Sequence, residues 1–475
     1  MASLTLTNRV SVPFPLLPTH SLLLTLLPCL CLLLLPSLSL SHSLSSSPPP
    51  VPVVSRIAFG SCAKQSSPQP IWDAILDFNP DLFVWMGDNI YGDNKRPFRI
   101  LGQERTVGPW KNLDRFFPSS EEELKRRYEL AKNKPGYAKL RQRAKVIGTW
   151  DDHDYGLNDA GKEFAGKDVS QKLLMDFLDE PQDSPRRKQA GVYASYVYGP
   201  KGKQIKVIVL DTRYHRDPIF SDGVFLGDAQ WDWLEKELKG PETELTIIVS
   251  SVQVISNLSA TGYPLLFTEC WGNFPKERER LFKLINDSKR SGVFFISGDV
   301  HFGEIARYDC GFQYPIYDIT SSGLTRSLEV DSTPAVAFLI RAIFRIVPST
   351  MRVFSANCRH KSCIYARPNF GAIEVNWDLS PPRVKMELRD VNGSSVNEVS
   401  FLLSELQARE VAGTGEHEIG YQQHCTLERE SSWLLRKRFT LILWLVATVL
   451  LGIIFLLLRV ILSSLERLFR KNKID

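Results

Sequence analysis

The chain has 475 residues, 43% of them apolar and 23% charged, a mix that excludes a disordered polar chain and accommodates one large domain or two to three ordinary ones. Its net charge of +5 is small for this length, and much of the basic excess lies in the last forty residues, which argues against nucleic-acid binding. No internal repeat is visible.

Residues 1–55 carry no Asp or Glu, and Arg9 precedes the apolar stretch Ser21–Leu40, which leads into a Ser- and Pro-rich exit. That order describes a secretory signal over 1–45, with an uncleaved anchor as the alternative because Pro28 and Pro36 interrupt a long apolar core. From residue 53 the chain alternates β-rich runs (53–59, 81–86, 145–150, 205–210, 245–251, 293–298) with helical patterns (70–78, 120–143, 168–179, 228–239, 276–290). Such alternation predicts an α/β domain with mainly parallel pairing. The later runs 314–320, 370–377 and 383–390 alternate with turns instead, and predict an antiparallel second sheet closing the domain.

Pro334–Pro348 is apolar except for Arg341 and Arg345. It reads either as a buried helix with two snorkelling arginines or as an interfacial helix lying on a membrane. The domain is expected over 53–405 and a polar stalk over 406–438. Phe439–Leu458 then runs twenty residues without a charge, which as a helix spans about 30 Å of hydrocarbon. Basic residues flank it on both sides, so the signal decides the orientation: a lumenal or extracellular domain, a single pass, and a basic cytosolic tail over 459–475. The expected location is the secretory pathway or plasma membrane. Asn257, Asn286 and Asn392 each open an Asn-x-Ser sequon, as a lumenal domain permits.

Of eight cysteines, Cys29 and Cys31 fall in the signal, leaving Cys62, Cys270, Cys310, Cys358, Cys363 and Cys425. If Cys62 binds metal, one of the other five stays unpaired or bridges another chain; Cys358 and Cys363 are spaced for a local loop-closing pair.

The chemistry lies in four segments where an apolar run stops and polar groups follow: IAFGSC (Cys62), VWMGDNIYGD (Asp88, Tyr91, Asp93), IGTWDDHD (Asp151, Asp152, His153, Asp154) and FFISGDVHFG (Asp299, His301). Parallel strands gather ligands at their carboxyl ends, so the four predict a two-metal hydrolytic centre. A carboxylate at the tip of a strand, such as Asp88, can bridge two cations, and Asp93 on the same loop can ligate or orient. Cys62 and Tyr91, each alone an ordinary packed residue, together suit a trivalent iron. Three Asp around His153 demand a cation if buried; His153 is a ligand or the proton donor to the leaving group. Asp299 and His301, two apart in extended backbone, point to one side. Arg96, Arg213 and Arg216 are candidates to grip phosphate oxygens.

These motifs, with LDTR at Leu210–Arg213 and WGNFPKER at Trp271–Arg278, in this order resemble the alkaline phosphatase D, or PhoD-like, family of the calcineurin-like metallophosphatases over residues 54 to 390. The resemblance implies a two-sheet sandwich flanked by helices, here with one C-terminal transmembrane helix added. It implies that Cys62, Asp88 and Tyr91 hold Fe(III), with Asp88 bridging to a second cation, Ca(II), and with Zn or Mn as alternatives. Asp152 falls where the superfamily has a metal-binding Asn and His153 on its catalytic His, making these the expected catalytic residues; Asp299 and His301 fall on the closing ligand element. The family's Arg after its IYxD element corresponds to Arg96 or Lys95. The activity implied is hydrolysis of phosphate mono- or diesters, including lipid-linked ones, through a metal-bound hydroxide. No obligate protein partner is expected. The alternative class is a non-catalytic lumenal receptor or scaffold on the same fold.

Overall fold

Period-two alternation in the first strands sets the layers. The computed structural model describes residues 51–97, 113–219, 221, 223–256, 268–330, 332–346, 351–407, 424–425, 427 and 433–471. In it β1 (Arg56–Gly60), α1 (Ile71–Phe78) and β2 (Leu82–Met86) make a parallel βαβ unit. Ile57, Phe59, Leu82, Val84 and Met86 join one buried cluster, while Ala58, Phe83 and Trp85 join another on the opposite side. A sheet buried on both faces gives the near-continuous apolar runs seen in the sequence.

A short ribbon of β3 (Asn94–Lys95) and β4 (Phe116–Phe117) precedes α2 (Glu121–Lys132) and α3 (Pro135–Arg143). The single helix expected over 120–143 is two, because Pro135 lacks the N–H that continuation needs and opens a new first turn instead. Next come β5 (Lys145–Thr149), the one-turn α4 (Asp152–Tyr155) and α5 (Lys167–Phe177). Trp72, Trp85, Tyr137 and Phe177 lock α1, α3 and α5 onto the first sheet, with ring centroids 5.4–6.0 Å apart in the Trp72–Trp85, Trp85–Tyr137 and Trp85–Phe177 pairs.

The second sheet contains β6 (Ala194–Tyr198), β7 (Ile205–Val209), β8 (Leu245–Ser250), β9 (Val293–Ser297), β10 (Gly303–Tyr308) and β11 (Ile316–Ser321), ordered β10-β11-β9-β8-β7-β6. Helices α6 (Asp228–Lys239) and α7 (Pro275–Asp287) pack Trp231, Leu234, Leu281 and Ile285 against it. Here the antiparallel expectation for 314–320 fails in part: β11 is antiparallel to β10 but parallel to β9. The chain between β9 and β10 skips one strand position, and β11 fills the slot. A second correction concerns 370–377 and 383–390. These become β12 (Asn369–Asn376) and β13 (Arg383–Asp390), which with β14 (Ser395–Leu402) extend the first sheet from β1 through an Ile57–Ile373 register. Pairing β12 onto β1 covers what would otherwise be an open edge.

Among the described residues two further α-helices are α8 (Pro334–Ile346) and α9 (Trp433–Lys471). Within α9, Thr440–Ser464 is long and apolar enough to cross a bilayer and is not buried. Disulfides join Cys358 to Cys363, the local pair expected, and Cys310 to Cys425; Cys62 and Cys270 are buried and belong to neither disulfide. The second disulfide matters for the expected stalk. Leu427 is buried in the main core and Asp309 N–H donates to the His424 carbonyl at 3.1 Å, so this part of 406–438 lies against the domain. The signal segment, most of the remaining stalk and Asn257 lie outside the described residues; Asn286 and Asn392 are exposed.

Candidate metal centre

Parallel strands from both sheets deliver the polar groups. The ends of β1, β2 and β5 carry Cys62, Asp88 and Asp151–Asp152, and the end of β9 carries Asp299 and His301. Three of the four turns are sharp, whereas Asp151 after β5 is extended: Cys62, Asp88, Asp299 and His301 adopt left-handed backbone, with φ of 61°, 51°, 71° and 61°. Non-glycine residues rarely do so, and such strain collects at functional sites. Gly87 has φ 95°, and a Cβ there would sit 2.5 Å from that of Asp151, so only glycine lets the two loops approach.

Asp154 clasps those loops. Its Oδ1 accepts from the backbone N–H of Asp88 (3.3 Å) and Asp151 (2.6 Å), and its Oδ2 from the side chain of Asn89 (2.6 Å). It is therefore a buried organiser, facing donors on both oxygens.

Around this clasp, ligand atoms converge in overlapping groups: Cys62, Asp88 and His301; Asp88, Asp152 and His153; Asp151, Asp152 and Asp299. Within each group the ligand atoms lie inside 4.8 Å of one another. Cys62 Sγ is 3.3 Å from Asp88 Oδ2, and Tyr91 Oη is 3.0 Å from His301 Nε2. One oxygen each of Asp88, Asp151 and Asp152 is buried with no protein hydrogen-bond partner. Orphaned buried polar atoms cost about 1–3 kcal/mol each, more when charged, and three pointing into one cluster call for cations. The donors fit two: a thiol, phenol, imidazole and carboxylate on one side, carboxylates alone on the other, with Asp88 and Asp152 shared among the groups.

The protonation states agree. Burial, reinforced by Asp88, pushes the Cys62 thiol well above its usual range, and burial with Cys62 and Asp88 does the same for the Tyr91 phenol. Neither ionises there unless a cation compensates. Burial also pulls His301 down to about 3, keeping it a neutral imidazole, the form able to ligate a metal. Burial raises Asp88 and Asp299 well above the carboxylate range, and neighbouring acids add to it.

This carboxylate cluster has a measurable consequence. Burial raises Asp151 from 3.8 to about 6; folded protein then binds protons that unfolded chain has released, so stability falls as pH rises. Of the opposing groups, Asp152, drawn down to about 2 against burial by His153 and Arg213, acts only below its unfolded value of 3.8. His301, held neutral down to about 3, opposes up to its unfolded 6.5 but is outweighed by Asp88, Asp154 and Asp299, which burial raises together with Asp151. Chelator-stripped protein is therefore expected to lose stability from about pH 4 through 6. Denaturant midpoints across that range test this, and a midpoint that rises with pH in stripped protein would count against the cluster.

His153 is oriented by Asp93. Its Nδ1–H donates to Asp93 Oδ1 at 2.7 Å, while Asp93 Oδ2 accepts from Asn158 N–H at 3.1 Å. Asp93 thus orients, and Nε2 is left for the cleft. Burial lowers the imidazole's proton affinity, but Asp152, Asp88 and Asp93 outweigh it and raise His153 to about 10.

The arginines fall differently from expectation. Arg213 is fully buried, donating to Asp151 Oδ1 and to both Glu269 oxygens at 3.0 and 2.8 Å. Arg216, also fully buried, lies 3.0 Å from Glu269 and donates to the Asp159 carbonyl at 2.6 Å. Neither can reach a substrate, because the buried acids Asp151 and Glu269 require their charge. Arg96 turns aside, 4.2 Å over the Phe117 ring and 2.5 Å from the Asp114 carbonyl. Lys95 instead lines the cleft, a cavity of about 470 Å³ that also takes in Lys64, Tyr91, His153, His301 and Arg326. Lys64 and Arg326 were not singled out in the sequence, although each follows shortly on a strand end. Glu269 was missed too; its position two residues before Trp271 was the available signal.

A family model described as PhoD-like phosphatase matches residues 57–337, more than half of the chain. Alkaline phosphatase D of Bacillus subtilis (strain 168) is 25% identical over 181 residues, covering 33% of this chain and 30% of that protein. The chain thus spans about a third of that relative's length. The solved structure of PhoD superposes with a TM-score of 0.55 at 16% identity, covering 83% of this chain and 77% of that one, a likeness of fold.

Proposed function

Because this chain belongs to the PhoD-like phosphatase family, we propose that it is a membrane-anchored, metal-dependent phosphoesterase cleaving phosphate mono- or diesters on the lumenal or extracellular side. The observation that carries this reading is the convergence of three orphaned buried carboxylate oxygens beside the His153–Asp93 pair at a basic cleft. Cys62, Asp88, Tyr91 and His301 would hold one cation, Fe(III) by donor type, and Asp88, Asp151, Asp152 and Asp299 the other, an oxygen-bound Ca(II). Bound cations supply neutralisation of the phosphoryl oxygens and a nucleophilic water at neutral pH.

The chain's own groups do the rest. Lys64, Lys95 and Arg326 line the cleft where non-bridging phosphate oxygens would lie. His153 Nε2 gives its proton to the departing alkoxide as the P–O bond breaks, and Asp93 keeps the ring in register throughout. Cations beside Asp88 and Asp152 would cancel much of the field that raises His153, returning it toward the range of a useful acid. The signal-like sequence of residues 1–45 and the Thr440–Ser464 helix are what support this topology.

The test is elemental analysis of full-length protein purified in detergent without chelators, assayed in parallel on chromogenic mono- and diesters. Iron near one per chain with calcium, and turnover lost in EDTA, is the expected result. Zinc or manganese with turnover keeps the phosphoesterase and removes the iron. A folded chain with neither metal nor turnover returns the scaffold reading.

A further inference from the structure

Helix α8 is apolar on two faces, and the domain covers only one. Ala337 and Phe344 are buried, with Ile340 and Ile343 partly so, against Val300 and Phe302. On the other face Val336, Phe338 and Leu339 are 45%, 70% and 55% exposed. A helix apolar all round needs cover on both sides, and an apolar patch of this kind marks a docking surface.

Three observations identify the cover. Leu443, near the start of the bilayer-length segment of α9, packs into the same cluster as Phe344 and Ile340, so α8 sits against the anchor at the point where α9 would enter the bilayer. Leu427 is buried in the domain core and α9 begins at Trp433; six residues reach at most about 20 Å, which keeps the domain against the bilayer. Arg345 is exposed beside the apolar face, the placement in which a guanidinium group meets lipid phosphates, whereas Arg341 pairs with Glu329 at 3.7 Å.

We propose that α8 lies in the interface of the bilayer that α9 crosses, with Val336, Phe338 and Leu339 among the acyl chains and Arg345 at the headgroups. The opposite face of α8 reaches the catalytic loop. Phe344 meets Phe302 edge-on at 5.2 Å, next to His301. The membrane surface thereby becomes part of the support behind that ligand. The inference rests on the membrane-anchored reading given above.

The test uses full-length protein in liposomes of phosphatidylcholine and phosphatidylserine, in a Cys29→Ser/Cys31→Ser background, where Cys62 and Cys270 are buried. A nitroxide is placed by Leu339→Cys, with Val449→Cys in the α9 span and Val197→Cys, 52% exposed on β6, as references. Leu339 is expected to be accessible to oxygen and shielded severalfold from a water-soluble nickel chelate, relative to Val197. Leu339 as open to nickel as Val197, with Val449 lipid-buried, overturns docking and leaves the anchor standing. Exclusion of both reagents means protein covers the face, and also overturns it. Val449 in water removes the anchor itself. Should Leu339→Cys fail to fold, Phe338→Cys reads the same face.

Discussion

Asp88→Ala is expected to abolish both metal loading and turnover, because Asp88 is shared by two of the converging ligand groups. Bound cations contribute several kcal/mol to such a transition state, so turnover should fall by at least about 10³-fold. His153→Ala makes the contrast. It removes the proposed proton donor but not the cysteine, phenol and carboxylate groups proposed as ligands, so metal should largely stay while turnover drops about 10²–10⁴-fold. Elemental analysis and turnover on the same samples separate the two. The stripped proteins give an opposite sign. Asp88 is held above its normal range by burial, with Asp152, Asp151 and Asp154 adding repulsion, so stripped Asp88→Ala should resist denaturant better than stripped wild type at neutral pH. Full metal content with full turnover in Asp88→Ala would end the proposed centre.

Arg213→Met should be the most destabilising single change among the site's polar residues. Arg213 and its partners Asp151 and Glu269 are all buried, at 0–2% side-chain exposure. Removing the guanidinium strands the buried Asp151 carboxylate and leaves Glu269 to Arg216 alone, and breaking a buried pair from one side costs about 3–5 kcal/mol, a large share of the stability of any domain. Adding Asp151→Asn removes the stranded charge while Arg216 still holds Glu269, and should recover part of the loss. Denaturant unfolding of the single and double variants gives both numbers. The outcome that would restore Arg213 to phosphate binding is normal stability with a raised KM and unchanged kcat.

Most of the segments that converge at the site were legible in the sequence for a local reason. Each follows directly on a buried run whose β character is written in neighbouring residues, as in VWMGD and FFISGD, so strand and ligand can be read together. The bilayer-length helix was legible in the same way, since length and apolarity are properties of a contiguous segment. Helix breaks are local too, yet Pro135 was passed over because the polar periodicity on either side of it continues in phase.

What escaped was decided by pairing between distant residues. β11 entering between β9 and β10, and β12 covering the edge of β1, depend on which edges remain open once the sheets form. Arg213 looks like a phosphate ligand in LDTR; only the fold brings Asp151 and Glu269 to it, from positions 62 and 56 residues away. Asp93 looked as fit to ligate as to orient, until His153 arrived 2.7 Å away from a different strand end. The cleft assignments of Lys64 and Arg326, and the bare second face of α8, have the same origin. The sequence by itself determined which chemical groups stand at which strand ends, because that is set by local burial and turn propensity. The tertiary structure alone decided which of those groups satisfy one another and which remain unsatisfied, because charge pairing and exposure depend on distances that no local pattern encodes.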